Sequence, residues 1–389
     1  MTARKIVITV DSYAPKTNGI QRVTQYQAEG LSTRGYDVVV VTSDVKGAPS
    51  EEKINGVTVR RVNAHMWHMW HRGDRKGFQE TVVSACADAD LVINVSAQSF
   101  AAAWLFPVFD MLRCPKMLIM HGMHDFAWKK TDFRSPKAFV MKVVRNIRWS
   151  EFYHRNLPSL RKYNLVTHLH GQDGSFRWFE GKGIGQNRVV MNAAQDGFFA
   201  DEVAFDEKRG LISVGTYCAG KNQKMILKAY YRSGIDSPLA LIGPSKNAYF
   251  HKLVRFNQKL QRKYGIRDVS ILAGLPRAET ISRIKSAAVY VCSSRQEFFP
   301  VSVVEAMAAG TVWISTNVGV VKHLPGGVVV NGVKEMAERF EELSRCLNDR
   351  LILAEEGRAY ASKNLSEGVA VDVLCRCVNE TCEKRKGSA

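Results

Sequence analysis

The chain has 389 residues, of which 46% are hydrophobic and 24% charged, and a formal net charge of +18 at pH 7. That composition is typical of a soluble globular protein, and the length favours two domains over one. The longest apolar run, residues 100–109, is too short to span a bilayer, and the first residues carry no export signal, so we expect a cytoplasmic protein.

The positive charge predicts an anionic partner, and nucleic acid, anionic lipid and a phosphorylated substrate all fit this description. Part of the excess is local, because residues 129–162 contain ten basic side chains and only two acidic ones. The eight cysteines form no paired CxxC blocks, which predicts reduced, structural thiols. A weak metal cluster at Cys375, Cys377 and Cys382 is the alternative, but it lacks a nearby histidine.

The first half of the chain alternates short β-branched runs with helical patterns. Apolar spacing predicts a helix over residues 20–34, between the first two of these runs, and Gly35 ends it. A strand, a helix and a second strand make a βαβ unit, so we expect a parallel sheet. The predicted strands are residues 6–10, 38–42, 57–62, 91–95 and 116–120.

A second series of strands and helices follows a break at residues 195–209, where the hydrophobic pattern lapses into Asp, Glu and Lys. We therefore expect one α/β domain at 1–195, a second at 196–369, and a C-terminal helix at 370–389 that packs back on the first. Ligands of such parallel sheets bind beyond the carboxyl ends of the strands, here in a cleft between the domains. The predicted strands are residues 211–214, 239–242, 269–272, 289–292 and 312–315.

Two motifs in the first domain follow predicted strands. DSYAPKTNGIQRV, residues 11–23, places Asn18 and Gly19 directly before a helix, where the backbone can approach an anion closely. HGMHDF, residues 121–126, places His121 in the first position after a strand. An ordinary turn and a structural histidine are the alternatives. Because no GxGxxG is present, a nicotinamide or flavin dinucleotide site is disfavoured.

Two motifs in the second domain carry charged groups at the same kind of position. GTYCAGKN, residues 215–222, combines the turn residue Gly215 with Lys221 at a helix start, where an ammonium group can neutralise a phosphate. A solvated lysine is the alternative. EFFPVSVVEAMAAG, residues 297–310, places Glu297 in a loop and Glu305 in an otherwise apolar helix. A buried carboxylate needs hydrogen-bond donors, and sugar hydroxyls supply them, so this stretch predicts a sugar beside a phosphate.

These pieces resemble the retaining GT-B glycosyltransferases of the group 1 type, which use nucleotide sugars. The matching segments are PKTNGIQRV, LIMHG, SVGTYCAGKN and EFFPVSVVEAMAAG, in the order of that family and over nearly the whole chain. The last is the E-x7-E motif and is the most specific. The resemblance implies an α/β fold of two Rossmann-like parallel-sheet domains that face each other across a cleft.

The resemblance also implies roles for individual residues. Glu297 would bind hydroxyls of the donor sugar, Glu305 the nucleotide ribose, and Lys221 the diphosphate. His121 would lie near the anomeric centre, which makes Glu297, His121 and Lys221 the catalytic set. It implies no metal and no cofactor, since Lys221 and helix N-termini neutralise the leaving diphosphate. The donor-binding residues would be Gly19, Gly215, Thr216, Lys221, Glu297, Phe298, Phe299, Pro300, Val301 and Glu305.

The chain departs from the family pattern at two places. Thr216 stands where the family usually has an arginine, so one charge partner of the diphosphate is missing or supplied elsewhere. Residues 298–300 are Phe-Phe-Pro where Gly-Phe-Gly is commoner, which we interpret as variation in specificity.

The first domain should carry the acceptor. Residues 139–155 have helical periodicity, with an apolar stripe at Phe139, Val140, Val143, Val144 and Ile147, and with basic side chains mostly opposite. A basic helix with aromatic residues fits an anionic membrane surface, and a solvated face over a packed stripe is the alternative. HMWHMWH, residues 65–71, fits an acceptor-binding or membrane-touching loop better than a metal site, and plain packing is the alternative. The candidate acceptor or membrane residues are Lys142, Arg145, Arg148, Trp149, Trp67 and Trp70.

The expected activity is transfer of a sugar, with retention, from a nucleoside-diphosphate sugar to a hydroxyl of a glycan or lipid-linked acceptor. A UDP-sugar is the expected donor, cell-surface polysaccharide or glycolipid synthesis the expected setting, and the inner face of the cell membrane a possible location. Three alternatives stay open: a glycosyltransferase that acts on nucleic acid, a catalytically weak sugar-nucleotide-binding protein, which Thr216 motivates, and a GT-B sugar-nucleotide epimerase.

Overall fold

The computed structural model describes residues 3–16 and 19–383, and residues 130 and 131 without their side chains. The described chain divides into two compact units. Unit 1 contains residues up to Met191 together with those from Val371 onward, and unit 2 contains Asn192–Ala370. Each unit is built on its own sheet, and the predicted boundary at 195 lies four residues from the division in the structure.

Unit 1 holds an eight-stranded sheet in the order β10-β9-β8-β7-β1-β2-β4-β3, in which every pairing is parallel except that of β3 with β4. A separate antiparallel hairpin is formed by β5 and β6. The strands are β1 (Lys5–Thr9), β2 (Asp37–Ser43), β3 (Glu51–Ile54), β4 (Val57–Val62), β5 (Ala64–Trp67), β6 (Trp70–Gly73), β7 (Leu91–Val95), β8 (Lys116–Ile119), β9 (Leu165–His168) and β10 (Gln186–Val189).

The strands of the unit 1 sheet are buried on both faces because helices cover it, as in other parallel sheets. They are α1 (Gly19–Thr33), α2 (Arg75–Ala85), α3 (Phe100–Ala103), α4 (Pro136–Arg155), α5 (Leu157–Leu160) and α6 (Gly174–Gly181), with 3-10 turns at Phe106–Met111 and Lys130–Phe133. The C-terminal helix α13 (Glu367–Glu383) is tied to this unit by hydrogen bonds from Arg34 to Asp372 (2.6 Å) and from Arg188 to Glu380 (2.6 Å). Residues 384–389 of the predicted helix lie outside the described chain.

Unit 2 holds a six-stranded, all-parallel sheet in the order β13-β12-β11-β14-β15-β16. This is the Rossmann order, in which the connections reverse direction between the two central strands, β11 and β14. The strands are β11 (Leu211–Val214), β12 (Leu239–Gly243), β13 (Val269–Ala273), β14 (Val289–Cys292), β15 (Val312–Thr316) and β16 (Gly327–Val330). The helices are α7 (Gln223–Arg232), α8 (Ala248–Tyr264), α9 (Arg277–Ser286), α10 (Val301–Ala308), α11 (Val333–Arg345) and α12 (Leu347–Asn364), with 3-10 turns at Asp196–Phe198, Phe205–Glu207 and Val321–His323.

All ten predicted strands are present, each within one residue of its predicted ends. The sequence did not predict the edge strands β3, β10 and β16, the adjacent strand β9, or the hairpin β5–β6, which are short or carry charged and aromatic residues. The fold class is confirmed as α/β with two Rossmann-like parallel sheets. None of the helices in the described chain is long and apolar enough to cross a membrane.

Candidate functional site

The site in unit 2 forms where the loops after β11 and β14 meet, at the reversal point of the sheet. The hydroxyl of Ser293 donates to the carbonyl of Lys221 (2.9 Å), and the backbone N–H of Arg295 donates to the carbonyl of Gly220 (2.8 Å). Asn222 adopts a left-handed backbone conformation (φ 55°) directly before α7, a geometry that asparagine tolerates better than most residues. The two predicted motifs are therefore held together by the backbone itself.

Lys221 and Glu297 face each other across these two loops. The Lys221 ammonium lies 2.6 Å from a carboxylate oxygen of Glu297, and their side chains are 34% and 19% exposed. A partly exposed pair of this kind contributes only about 1 kcal/mol or less, so a ligand can replace it at little cost. The structure thus brings together a cation and a carboxylate, which are the groups needed for a phosphate and for sugar hydroxyls.

Glu305 is buried in α10, as predicted, with its side chain only 10% exposed. Its carboxylate forms an ion pair with Arg277, the first residue of α9. Arg277 also donates to the side chain of Gln195 (2.7 Å) and lies over the ring of Phe198 (5.0 Å). The sequence analysis missed Arg277. The sequence could have predicted it, because Arg277 begins the helix that follows β13, just as Lys221 lies at the start of the helix that follows β11.

The helix α10 begins between Glu297 and Glu305, and no described side chain caps its N-terminus. Pro300 precedes the first helical residue, Val301, so the first turn of this helix keeps its positive dipole end uncapped by any side chain. Phe299 is buried, whereas Phe298 is half-buried. The loop is confined from behind, since a Cβ on Gly319 (φ 53°) would lie 2.2 Å from the carbonyl oxygen of Phe298. Only glycine fits at that close approach.

The loop after β11 is anchored by a tyrosine that the sequence analysis did not single out. The Tyr217 hydroxyl hydrogen-bonds to the carbonyls of Leu241 (2.8 Å) and Leu272 (2.6 Å), and burial raises its pKa. The preceding Thr216 is exposed, and its carbonyl accepts a hydrogen bond from Gln223 (3.0 Å). Gly215 packs against the aliphatic chain of Lys221, which a Cβ at Gly215 would contact at 3.7 Å. This distance is an ordinary van der Waals contact, so the lysine stem by itself does not require glycine at position 215.

His121 lies in unit 1, in the loop after β8. Its ring nitrogen Nε2 is buried and has no hydrogen-bond partner within residues 3–16 and 19–383. Burial lowers the pKa of His121 to about 4, because the charged imidazolium is poorly solvated there. The imidazole is therefore neutral near pH 7, with a buried nitrogen left available for a ligand group. A buried polar atom of this kind can be satisfied by a water molecule or by a ligand group.

Replacing His121 by asparagine is expected to remove part of the acid sensitivity of the fold. A histidine whose folded pKa is depressed leaves stability intact above its ordinary pKa of 6.5 and costs stability as the pH falls from there towards 4. At about pH 5 the unfolded chain gains roughly 2 kcal/mol from protonating this residue. Urea unfolding of both proteins at neutral and acidic pH measures the difference. An equal pH dependence in His121→Asn and the wild type would contradict the assignment, and His154→Asn, at an exposed position of α4, is the matched control.

Gly19 is the first residue of α1 and is exposed, and no atom of the described residues lies within 4 Å of the position of an added Cβ. The residue before it in the motif, Asn18, lies outside the described residues. The open space at Gly19 agrees with a helix N-terminus that an anion can approach, which is the role that the resemblance implies.

The prediction that Lys142 and Trp149 contact the acceptor or a membrane is wrong, and the alternative of a packed apolar stripe is wrong for Val140, Val144 and Ile147. In α4 the stripe that contains Val140, Val144 and Ile147 faces outward, and Lys142 and Trp149 are buried instead. The Lys142 ammonium donates to the backbone carbonyl of Asp125 (2.5 Å), which compensates for its burial. Lys142 and Trp149 therefore do not lie at a surface that could contact a membrane or an acceptor directly.

The remaining candidate acceptor residues lie together beside this helix. Arg145 is exposed, whereas Arg148 is half-buried and lies over the rings of Trp70 (4.9 Å) and Trp149 (5.8 Å). Trp67 and Trp70 are about half exposed at the end of the β5–β6 hairpin.

The histidine repeat of this hairpin does not form a metal site within the described residues, where no group of three or more His, Cys, Asp or Glu side chains could hold a metal ion. His71 hydrogen-bonds instead to the carbonyl of Gln98 (3.0 Å). All eight cysteines are free thiols in the structure. Burial raises the pKa of Cys377 to about 11.

Two family matches cover the two units. Residues 195–360 match the family described as glycosyl transferases group 1, and residues 18–158 match the glycosyl transferase 4-like domain. The first match contains Lys221, Glu297 and Glu305, and the second contains His121.

One curated relative and many solved structures are similar to the chain. The relative is the Caenorhabditis elegans GDP-Man:Man(3)GlcNAc(2)-PP-Dol alpha-1,2-mannosyltransferase, 25% identical over 40% of this chain and only 36% of its own length. Among solved structures, a glycosyltransferase from Rickettsia africae superposes with a TM-score of 0.74 at 14% identity, covering 98% of this chain and 99% of that one. The Anabaena protein HepE, in complex with UDP and glucose, superposes with a TM-score of 0.67 at 14% identity, covering 97% and 99%.

The structural similarity extends over nearly the full length of both chains and establishes the GT-B fold. The sequence matches add that both units resemble glycosyltransferases, and each match covers less than half of the chain. Unit 2 is similar to the group 1 glycosyltransferases, and unit 1 is similar to the glycosyl transferase 4-like domain.

Proposed function

We propose that the protein is a retaining glycosyltransferase that moves a sugar from a UDP-sugar to a hydroxyl of a glycan or lipid-linked acceptor, in cell-surface polysaccharide or glycolipid synthesis. The observation that carries the proposal is the 2.6 Å contact between Lys221 and Glu297 at the reversal point of the unit 2 sheet. A cation for the diphosphate and a carboxylate for sugar hydroxyls are adjacent there, beside the uncapped start of α10.

In the proposed reaction the bond between the anomeric carbon and the diphosphate oxygen breaks, and a bond from the acceptor oxygen to that carbon forms on the same face. The acceptor proton passes to the leaving phosphate oxygen, so no protein nucleophile is needed. The protein contributes electrostatic preorganisation and positioning. Lys221 and the α10 N-terminus would stabilise the leaving diphosphate, Glu297 would orient the sugar, and neutral His121 would accept or donate a hydrogen bond near the anomeric centre.

Glu305, the second glutamate of the motif, would bind the nucleotide part of the donor. Glu305 forms an ion pair with Arg277, and because a carboxylate accepts several hydrogen bonds, ribose hydroxyls would share or exchange this acceptor. Arg277 is a second cation in contact with a predicted donor residue, and we propose that it supplies the charge that Thr216 lacks. We propose that neither a metal nor a cofactor takes part.

Uracil is proposed as the base because the structurally similar HepE was solved with UDP and glucose. The curated relative is named for a GDP-sugar, so guanine is the competing base. That relative is also named for a dolichol-linked acceptor, which supports a lipid-linked acceptor here. Peripheral association with the inner face of the cell membrane is part of the proposal.

Thermal unfolding with nucleotides tests the donor. We expect UDP to raise the unfolding temperature more than GDP at equal concentration, because a ligand that binds only the folded state stabilises it by mass action. Release of UDP from UDP-sugars, followed with and without added acceptors, then identifies the sugar. No shift with any nucleoside diphosphate would contradict the proposal, and free-sugar epimers formed without an acceptor would favour an epimerase.

A further inference from the structure

The largest exposed apolar surface of the described chain lies on unit 1. Of the fourteen large hydrophobic residues that are exposed in the described chain, seven fall between residues 128 and 147. We call this set the α4 face. It consists of Trp128, Phe133, Phe139, Val140, Met141, Val144 and Ile147. Scattered exposed hydrophobic residues are ordinary, but a contiguous group of this kind marks a contact surface.

The members of the α4 face support one another. The rings of Trp128, Phe133 and Phe139 form a cluster with centroid separations of 5.3 to 5.9 Å. Val140, Val144 and Ile147 follow at helical spacing on α4, with 55%, 44% and 63% of their surfaces exposed. The aromatic cluster and the aliphatic row therefore share the N-terminal half of one helix and the segment that precedes it.

The opposite side of α4 is fixed by polar contacts, so the outward direction of the apolar row is determined. Lys142 donates to the carbonyl of Asp125, and Asn146 donates to the carbonyl of Phe126 (3.1 Å) and contacts His124 (2.8 Å). Turning the helix to bury the apolar row would expose Trp149 and break all three contacts. The same contacts tie α4 to residues 121–128, the loop that carries His121.

The charges around the α4 face are predominantly basic. Arg134, Lys137 and Arg145 are exposed beside it, whereas Asp132 hydrogen-bonds to the backbone N–H of Lys129 and Glu151 lies farther along the helix. An apolar row flanked by basic side chains complements a bilayer with anionic head groups. A second copy of this chain fits less well, because a symmetric contact would bring like charges together.

We propose that the α4 face is the docking surface of the enzyme on an anionic lipid bilayer. The apolar row enters the head-group region, and Arg134, Lys137 and Arg145 contact the lipid phosphates. Docking places the His121 loop next to the bilayer surface, where the sugar hydroxyls of a lipid-linked acceptor are found. The role of docking in reaching a lipid-linked acceptor rests on the proposed function. Binding to the bilayer itself does not require a nucleotide sugar.

The test is co-sedimentation of the whole protein with phosphatidylcholine vesicles, with and without phosphatidylglycerol, in the absence of nucleotide. We expect binding to the phosphatidylglycerol vesicles that weakens as salt is raised. The triple variant Val140→Ser/Val144→Ser/Ile147→Ser should lower the partition coefficient by about tenfold or more, because each change removes apolar surface from the contact. The matched control is Ile266→Ser/Leu347→Ser/Ile352→Ser, which alters three exposed apolar residues of unit 2 and should bind like the wild type.

The outcomes separate the docking surface from its alternatives. The proposal is overturned if the wild-type protein does not bind anionic vesicles, or if the triple variant binds them as well as the control variant does. A dimer in solution that the triple variant dissociates also overturns it and assigns the α4 face to a second copy. Vesicle binding in a protein that shows no nucleotide-dependent thermal shift supports the docking surface while counting against the proposed donor. Unfolding temperatures of both variants check that neither has lost its fold.

Discussion

Replacing Lys221 by methionine is expected to lower kcat/KM for sugar transfer by about 10²–10³-fold and to weaken UDP binding at the same time. The lysine is the only described cation in direct contact with Glu297, and its backbone carbonyl accepts a hydrogen bond from Ser293 in the loop that carries Glu297. Its charge is needed most when the diphosphate leaves, because negative charge then accumulates on the phosphate oxygens. Methionine keeps most of the length of the side chain and removes the charge together with its N–H donors.

The measurements are initial rates of UDP release with acceptor and thermal shift with UDP alone. Lys259→Met, at an exposed position of α8, removes one positive charge from the same unit without touching the site. It should leave both readouts near their wild-type values. Equal activity in Lys221→Met and Lys259→Met would mean that Lys221 is a solvated lysine, the alternative that the sequence left open.

The sequence predicted the sheets well because each central strand is a short β-branched run with a clear end. The loops that carry Gly215, Lys221 and Glu297 follow from those ends, since parallel strands deliver their carboxyl ends to one edge of a sheet. The strands β9 and β16 were missed because each has only four residues, and polar residues in β9 and a glycine in β16 interrupt the apolar pattern. Their pairing depends on neighbours far away in the sequence.

Helical periodicity shows that α4 has two unlike sides, but it does not show which side faces the protein. The usual expectation buries the apolar row. Here Lys142 is buried because the carbonyl of Asp125 receives its ammonium group, a contact between residues seventeen positions apart. No local pattern reveals such a partner. The same limit applies to Arg277, whose contact with Glu305 spans twenty-eight positions and requires the folded unit to bring α9 beside α10.

The partner of Glu305 shows how the free site differs from the one that the sequence suggested. The buried carboxylate in the apolar helix was expected to be satisfied by a bound ribose. In the structure it is paired with a protein cation, and Glu297 is paired likewise with Lys221. A charge in a poorly solvated position needs a partner at all times, and not only when substrate is present. We infer that donor binding exchanges or extends existing ion pairs.

Replacing Glu297 by glutamine is expected to separate donor binding from sugar transfer. Transfer should fall by about 10²-fold or more, because the amide no longer accepts two hydrogen bonds from sugar hydroxyls with the strength of a carboxylate. UDP binding should stay unchanged or become tighter. In the wild type Lys221 must give up its 2.6 Å contact with Glu297 to engage the diphosphate fully, and in Glu297→Gln its ammonium group is released from that pair.

In Lys221→Met both sugar transfer and UDP binding should fall, whereas in Glu297→Gln only sugar transfer should fall. The two variants together therefore distinguish the roles of Lys221 and Glu297. Glu338→Gln removes an exposed carboxylate that pairs with Lys334 (3.7 Å) on α11 and serves as the control for the charge change. If Glu297→Gln weakens UDP binding as strongly as it lowers transfer, Glu297 orients Lys221 and does not bind the sugar. The carboxylate would then be a positioning group for the diphosphate site.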